Sequence, residues 1–274
     1  MALDILCIGA HPDDNEFSIG GTIALLTARG HRVRMLTVTN GCRGHYFPEY
    51  VSDIGLLADR RRLESLEASR IARAEYACLG INDGEVYVTP ESTEAMIRAI
   101  RSFGEPGRGP DLILTNRPGD YHRDHRYTAR LVLDAVYMLT VPPMCPDVPA
   151  LRRMPVIAYW QDGFTEGGAF RPDAVVTIDA GMAEKVAMVC AHKSQFYEWI
   201  PYNSASHPSF ADWPEAEGER YARMDGILRE MSAATARRYR TLMWRDGLYA
   251  EAFQISEYGD TPDEARLREL FPVA

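Results

Sequence analysis

The amino-acid sequence predicts an α/β fold in which a mostly parallel sheet carries helices on both faces. Three observations predict it. Strand-like and helix-like segments alternate along the chain, most of the strand-like runs are short and apolar, and the polar motifs stand directly after two of those runs. Apolar runs of this kind suit strands buried on both faces, and ligands in such sheets bind at the strands' carboxyl ends.

Leu3 to Gly9 reads as the first strand, Ile19 to Ala28 as a helix and Arg32 to Thr39 as the second strand. Together they make a βαβ unit, so the fold is Rossmann-like. Ala58 to Leu79 follows as a long helix, with Leu63, Leu66, Ile71, Ala74 and Ala77 on its apolar face and Gly80 as its stop. Thr93 to Phe103 is a helix, Asp111 to Thr115 a buried strand and Tyr127 to Thr140 a helix. Val156 to Trp160 and Ala174 to Ile178 are strands, Gly181 to Trp199 and Tyr221 to Trp244 are helices, and Ala252 to Ile255 is a short closing strand. No repeat or low-complexity linker divides the chain. It reads as one domain over residues 1–274, with residues from about 200 to 274 forming an extension packed on it. The loops 41–55, 141–155 and 200–214 exceed the usual ~4–6 residues and are candidate lids or binding walls.

Composition narrows the function. The 274 residues are 46% hydrophobic and 25% charged, as in ordinary globular chains. Thirty Lys and Arg against 39 Asp and Glu give a net charge of -9, which argues against a nucleic-acid partner. Five scattered cysteines without a C-x-x-C pair suggest neither a disulfide framework nor a thiolate metal site, and they fit a reducing compartment. The opening MALDILCIGAHPDD has no basic leader, and no stretch approaches the ~20 apolar residues of a membrane span. A soluble, cytoplasmic protein is expected; a homo-oligomer stays open.

Directly after the first strand, His11-Pro12-Asp13-Asp14-Asn15-Glu16 packs an imidazole and three carboxylates together. Burying such a cluster is costly unless a cation compensates it, and neutral imidazole with carboxylate suits zinc. His11 and Asp14 can share one ion, with Asp13 beside it; a solvated turn with Asp14 or Asn15 capping a helix is the plainer alternative. A second cluster follows the Asp111 to Thr115 strand, where His122 and His125 stand at a helix entrance and can complete the site.

The motifs H-P-D-D-x-E (His11 to Glu16), G-G-T (Gly20 to Thr22), H-x-D-H-x-x-T (His122 to Thr128) and H-x-S-Q (His192 to Gln195) occur in order. They resemble the LmbE-like (PIG-L) zinc-dependent N-deacetylases, over roughly residues 4–195. That family includes N-acetylglucosaminyl-phosphatidylinositol deacetylase and the deacetylases of mycothiol and bacillithiol synthesis. The resemblance implies the LmbE-like deacetylase fold and an N-acetylated amino sugar, or its glycoside, as small-molecule substrate. It implies zinc on His11, Asp14 and His125, with Fe2+ or another divalent metal as alternatives. Asp13 would be the general base toward the attacking water, and His122 would stabilise the oxyanion as an imidazolium or donate a proton. Asp124 would orient one of the histidines from behind. Arg61, three before Glu64, resembles the family's substrate-facing arginine; Asp83, in Asn82-Asp83-Gly84, resembles a position that contacts sugar hydroxyls. His192, seven after Lys185, is a substrate-binding candidate whose alternative is a structural role.

Rival readings are weaker. No G-x-G-x-x-G follows the first strand, where the acidic residues would repel pyrophosphate, and no G-x-S-x-G elbow occurs. An amidase acting on a thiol conjugate or a natural-product intermediate would use the same zinc site. A non-catalytic metal-dependent sugar-binding module would keep the ligands but has no need of Asp13 and His122.

Overall fold

The structure is a computed structural model that describes residues 2–271. Its strands are β1 (Asp4–Gly9), β2 (Arg32–Thr39), β3 (Glu75–Ile81), β4 (Leu112–Thr115), β5 (Val156–Trp160), β6 (Ala174–Thr177) and β7 (Ala250–Ile255). The helices are α1 (Asp14–Ala28), α2 (Pro48–Ser52), α3 (Ile54–Ala72), α4 (Pro90–Arg101), α5 (Arg123–Met138), α6 (Met182–Ala191), α7 (Ile200–Asn203), α8 (Glu217–Arg238) and α9 (Glu264–Leu270).

All seven strands form one sheet in the order β3-β2-β1-β4-β5-β7-β6. The first five run parallel, and β7 lies antiparallel between β5 and β6. Successive side chains of a strand point to opposite faces, and β1 shows the consequence. Ile5 and Cys7 join a core with Ile23 of α1, Val186 of α6 and Leu228 of α8. Leu6 and Ile8 join a second core with Ile97 of α4 and Val132 of α5. Helices therefore cover both faces, as expected. The order also reverses between β1 and β4, which opens a crevice at their carboxyl ends. No helix among the described residues is long and apolar enough to cross a membrane.

Helix α1 begins at Asp14, earlier than the expected Ile19, and is kinked at Ile19 (φ -135°, ψ 19°). The G-G-T motif lies just past that kink for a packing reason. A Cβ on Gly21 would meet the Ile178 side chain at 2.7 Å, and one on Gly181 would meet the Gly21 carbonyl oxygen at 2.5 Å. Glu251 of β7 clasps the kink. Its carboxylate accepts the Gly21 and Thr22 amides at 3.0 and 2.8 Å and the buried Lys185 ammonium at 2.6 Å.

Several expected elements are corrected. The long helix over Ala58 to Leu79 is α3 followed by strand β3, because Arg73 ends the helix in the left-handed region (φ 56°) without a glycine to announce it. Leu63 and Leu66 are 60% and 41% exposed, so they are not its core face. The buried face is Leu57, Arg61, Ser65, Ala68 and Ala72. The Gly181 to Trp199 helix breaks at His192, and Ser194–Trp199 continues as a π-helical turn. Helix α8 starts earlier and ends earlier than expected, and α2 and α9 were not foreseen. The 141–155 loop is no lid. Buried Arg101 donates to the carbonyls of Met138, Leu139 and Val141 at 2.7, 3.0 and 2.9 Å, and to those of Met144, Cys145 and Val148, fixing the loop on the second core.

Candidate active site

The turn from β1 into α1 is built by Asp14, whose Oδ2 accepts the backbone N–H groups of Ala10 and His11, each at 2.8 Å. That turn forces Asp13 to φ 156° and ψ -19°, a region non-glycine residues rarely occupy. Such strain costs about 1–3 kcal/mol and gathers at functional sites. Across the crevice, the loop after β4 is tied by Asp120, whose Oδ1 accepts the His122 amide at 2.7 Å. His122 caps α5, its Nδ1 accepting the Asp124 amide at 3.2 Å.

The two loops bring three predicted ligands together. His11 Nδ1 lies 3.2 Å from His125 Nε2 and 3.6 Å from Asp14 Oδ2, and His125 Nε2 lies 3.4 Å from Asp14 Oδ1. Donors about 2.0–2.1 Å from one tetrahedral zinc stand roughly 3.3–3.4 Å apart, close to the spacing of the two imidazole nitrogens, while the Asp14 carboxylate faces each imidazole with a different oxygen. The other nitrogen of each imidazole faces a carboxylate: His11 Nε2 meets Asp124 Oδ2 at 3.3 Å, and His125 Nδ1 meets Asp120 Oδ2 at 3.0 Å. Metal-bound histidines are oriented in this way. The ring nitrogens of His11, His122 and His125 also lie within 4.8 Å of one another, as do ligand atoms of His11, Asp83 and Asp124. The latter group is poorly suited to an ion, because the Asp83 oxygens already accept the Gly41 and Arg43 amides, both at 3.1 Å.

The electrostatics favour a cation. Burial works against charging His11, yet hydrogen bonds to Asp124 and Asp14 push it up to about 9. His125 behaves alike: burial is overridden by the Asp14 charge and the Asp120 hydrogen bond, and it rises to about 10. Burial alone would raise Asp14, but the His125 charge and the hydrogen bond from His11 hold it well below the usual carboxylate range. The negative field that draws protons to these imidazoles also favours a cation placed between them, in competition with those protons.

Asp13 differs from Asp14. Burial pushes it up to about 6, against the pull of the Arg61 guanidinium, whose Nη2 donates to Asp13 Oδ2 at 3.0 Å and to the Pro12 carbonyl at 2.8 Å. Arg61 is only 2% exposed, and its Nη1 also lies 3.8 Å from Asp83. It reaches the cavity wall while supporting Asp13, and Asp83 lines the cavity while holding the 41–43 turn. His122 is lowered by burial and by the charges of His11 and His125, which favours its neutral form. His192 does not join the cavity. It is 0% exposed and its Nε2 lies 3.0 Å from Glu16 Oε1, behind the turn.

The crevice opens into a cavity of about 1250 Å³ lined by both histidine loops, by Arg43 and Gly44, and by residues from Gln195 to Phe210 and on α8.

Comparison with known proteins identifies the group. The family model for PIG-L, the GlcNAc-PI de-N-acetylases, matches residues 6–136, which include both histidine loops. Diacetylchitobiose deacetylase of Thermococcus kodakarensis is 30% identical over 210 residues, covering 72% of this chain and 74% of that protein. The chain belongs to the PIG-L family. A second PIG-L relative, the 1D-myo-inositol 2-acetamido-2-deoxy-alpha-D-glucopyranoside deacetylase of Acidothermus cellulolyticus, is 27% identical over 241 residues, 83% of this chain and 72% of that one. Among solved structures, N,N'-diacetylchitobiose deacetylase from Pyrococcus horikoshii shares the fold at a TM-score of 0.72 and 23% identity, covering 96% of this chain and 88% of the other. GalB, the 4-carboxy-2-hydroxymuconate hydratase of Pseudomonas putida KT2440, shares it at 0.69 and 18% identity, covering 96% and 99%.

Two features of this PIG-L site escaped the sequence reading. Asp120 stands behind His125 as Asp124 stands behind His11, and its place two residues before His122 was the available signal. The α8 wall of the cavity had no signal, because α8 comes from the segment read as an extension.

Proposed function

We propose that this PIG-L protein is a zinc-dependent N-deacetylase that removes the acetyl group from an N-acetylated amino sugar or its glycoside. The observation that carries the reading is the His11–Asp14–His125 triangle with the carboxylate of Asp13 beside it at the cavity. A divalent ion on those three residues would polarise the amide carbonyl and acidify a water. Asp13 is placed to take a proton from a water attacking the carbonyl carbon, and a base poised near 6 is matched to the task. Arg61 keeps Asp13 ionised and aimed. His122 has its Nδ1 occupied by the Asp124 amide, so the neutral ring carries its proton on Nε2 and donates it as a hydrogen bond to the oxygen gaining charge. As the C–N bond breaks, Asp13 returns its proton to the leaving nitrogen, giving the free amine and acetic acid, which releases its own proton to solvent to leave acetate.

The same proposal takes residues 2–271 as one domain, since β7 from late in the chain sits inside the sheet. The test is acetate release from a panel of N-acetylated amino sugars by metal-loaded and chelated protein, with metal content read by mass spectrometry. Bound zinc with chelator-sensitive release is expected; bound metal without release across the panel overturns the N-acetyl sugar assignment.

A further inference from the structure

Helix α3 has two faces with different tasks. Its buried face carries Arg61 to Asp13, while its opposite face is exposed and partly apolar, where a surface helix ordinarily presents polar residues to water. Asp59, Leu63, Leu66 and Arg70 stand at i, i+4, i+7 and i+11, so they form one stripe along that exposed face. Leu56, and Val51 on the neighbouring α2, continue the exposed apolar surface.

The stripe is complementary to itself. A two-fold axis normal to the helix and passing between residues 64 and 65 sets Leu63 opposite Leu66 of a copy, and Asp59 opposite Arg70 of that copy. The leucines of both chains then form an apolar centre, closed at each end by an Asp59–Arg70 ion pair, as in a protein interface with a polar rim. Asp59 has no ion pair or side-chain hydrogen bond of its own among the described residues. Arg70 is held outward by Glu67 at 2.6 Å, with its side chain 72% exposed. Charge points to the same occupant. The chain carries a net charge of -9, so its copies repel, yet on this face Asp59 and Glu67 are balanced by Arg62 and Arg70.

The helix alone is too small a contact. Its 19 residues give a strip about 28 Å long and roughly 10 Å wide, whereas a stable interface buries about 800 Å² on each partner. The sheet supplies the remainder. β3 packs beside α3 and ends the sheet, so its outer edge faces no other strand among the described residues. An open edge invites pairing with another chain. A two-fold axis normal to the sheet turns β3 antiparallel to its copy and keeps both copies of α3 on one face, which is the arrangement the stripe requires.

We infer that two copies of this chain associate about such an axis, with α3 antiparallel to α3 and the β3 edges side by side. The inference is independent of the reaction proposed above.

The experiment is sedimentation analysis of the full-length chain and four variants: Leu63→Arg, Asp59→Arg, Arg70→Asp and the double reversal Asp59→Arg/Arg70→Asp. All the replaced side chains are exposed, so circular dichroism is expected to show the fold unchanged. Leu63→Arg is expected to halve the mass of the wild-type particle. Each single reversal turns both attractive pairs into repulsive ones and is expected to raise the dissociation constant at least tenfold, while the double reversal returns it to within about threefold of wild type. A wild-type particle of one chain overturns the inference. So does a wild-type mass retained in Leu63→Arg, or a double reversal no tighter than the single ones.

Discussion

Replacing the Asp13 carboxylate by an amide of the same shape separates proton transfer from ion binding. Asp13→Asn is expected to retain metal and lose about 10²–10⁴-fold in turnover, whereas His125→Ala loses metal, both read by mass spectrometry beside an acetate assay. The pH profile tests the partner residue. Asp13 must be ionised to act, so activity falls as pH drops through its pKa, which burial raises to about 6 while Arg61 pulls it down. A bound cation pulls it lower still. The acidic limb of kcat/KM is therefore expected at or below about pH 6 and shifts upward in Arg61→Met; a limb that stays in place in that variant contradicts the pairing. At this scale the sequence was most informative, because His11, Asp14 and His125 are chemically conspicuous and lie at strand ends. Asp83 was harder to read. An Asp-Gly dipeptide is a common turn, and only the structure reveals that its oxygens bind the Gly41 and Arg43 amides.

Elements were legible where apolar pattern and burial coincide. β1, β4, β5 and β6 are buried and largely apolar, β2 is buried beyond its exposed first residue, Arg32, and all five fall within a residue of their expected limits. β3 is an edge strand of mixed exposure with no such pattern, and Arg73 disguises the helix end before it. α3 misled because its buried face is partly polar: it includes Arg61, which reaches Asp13, and Ser65, whose hydroxyl donates to the Arg61 backbone carbonyl. Two stability predictions belong here. Lys185→Met leaves the Glu251 carboxylate buried without its cation and is expected to cost about 3–5 kcal/mol in urea unfolding, much of it recovered in the double variant with Glu251→Gln. Arg101→Met strands the carbonyls it now binds and is expected to cost about 3 kcal/mol or more by the same measurement.

For the whole molecule, architecture and reaction are separate questions. The fold is shared with proteins named as a deacetylase and as a hydratase, so the reaction is decided by the groups at the strand ends. Because the proposed ligands come from loops after β1 and β4, an ion bridging them would join two parts of the sheet. Zinc at a hundred times its Kd is expected to stabilise the fold by about 2.7 kcal/mol, and a chelator should lower the Tm measured by calorimetry accordingly. A Tm indifferent to chelation would argue against the triangle as an ion site. The global order of β7 within the sheet was not legible, since pairing partners far apart in sequence leave no local signature.

The Glu251 clasp has a consequence for the timing of assembly. It joins β7 to the amides of Gly21 and Thr22 across 230 and 229 positions of chain. Translation proceeds from the amino terminus at ~5–20 residues per second, so His11 and Asp14 leave the ribosome long before the carboxylate that braces their helix exists. Until then the α1 kink lacks its brace. A ribosome-bound nascent chain stalled before residue 250 is therefore expected to hold zinc weakly, and metal capture should mark a late step in the birth of the protein.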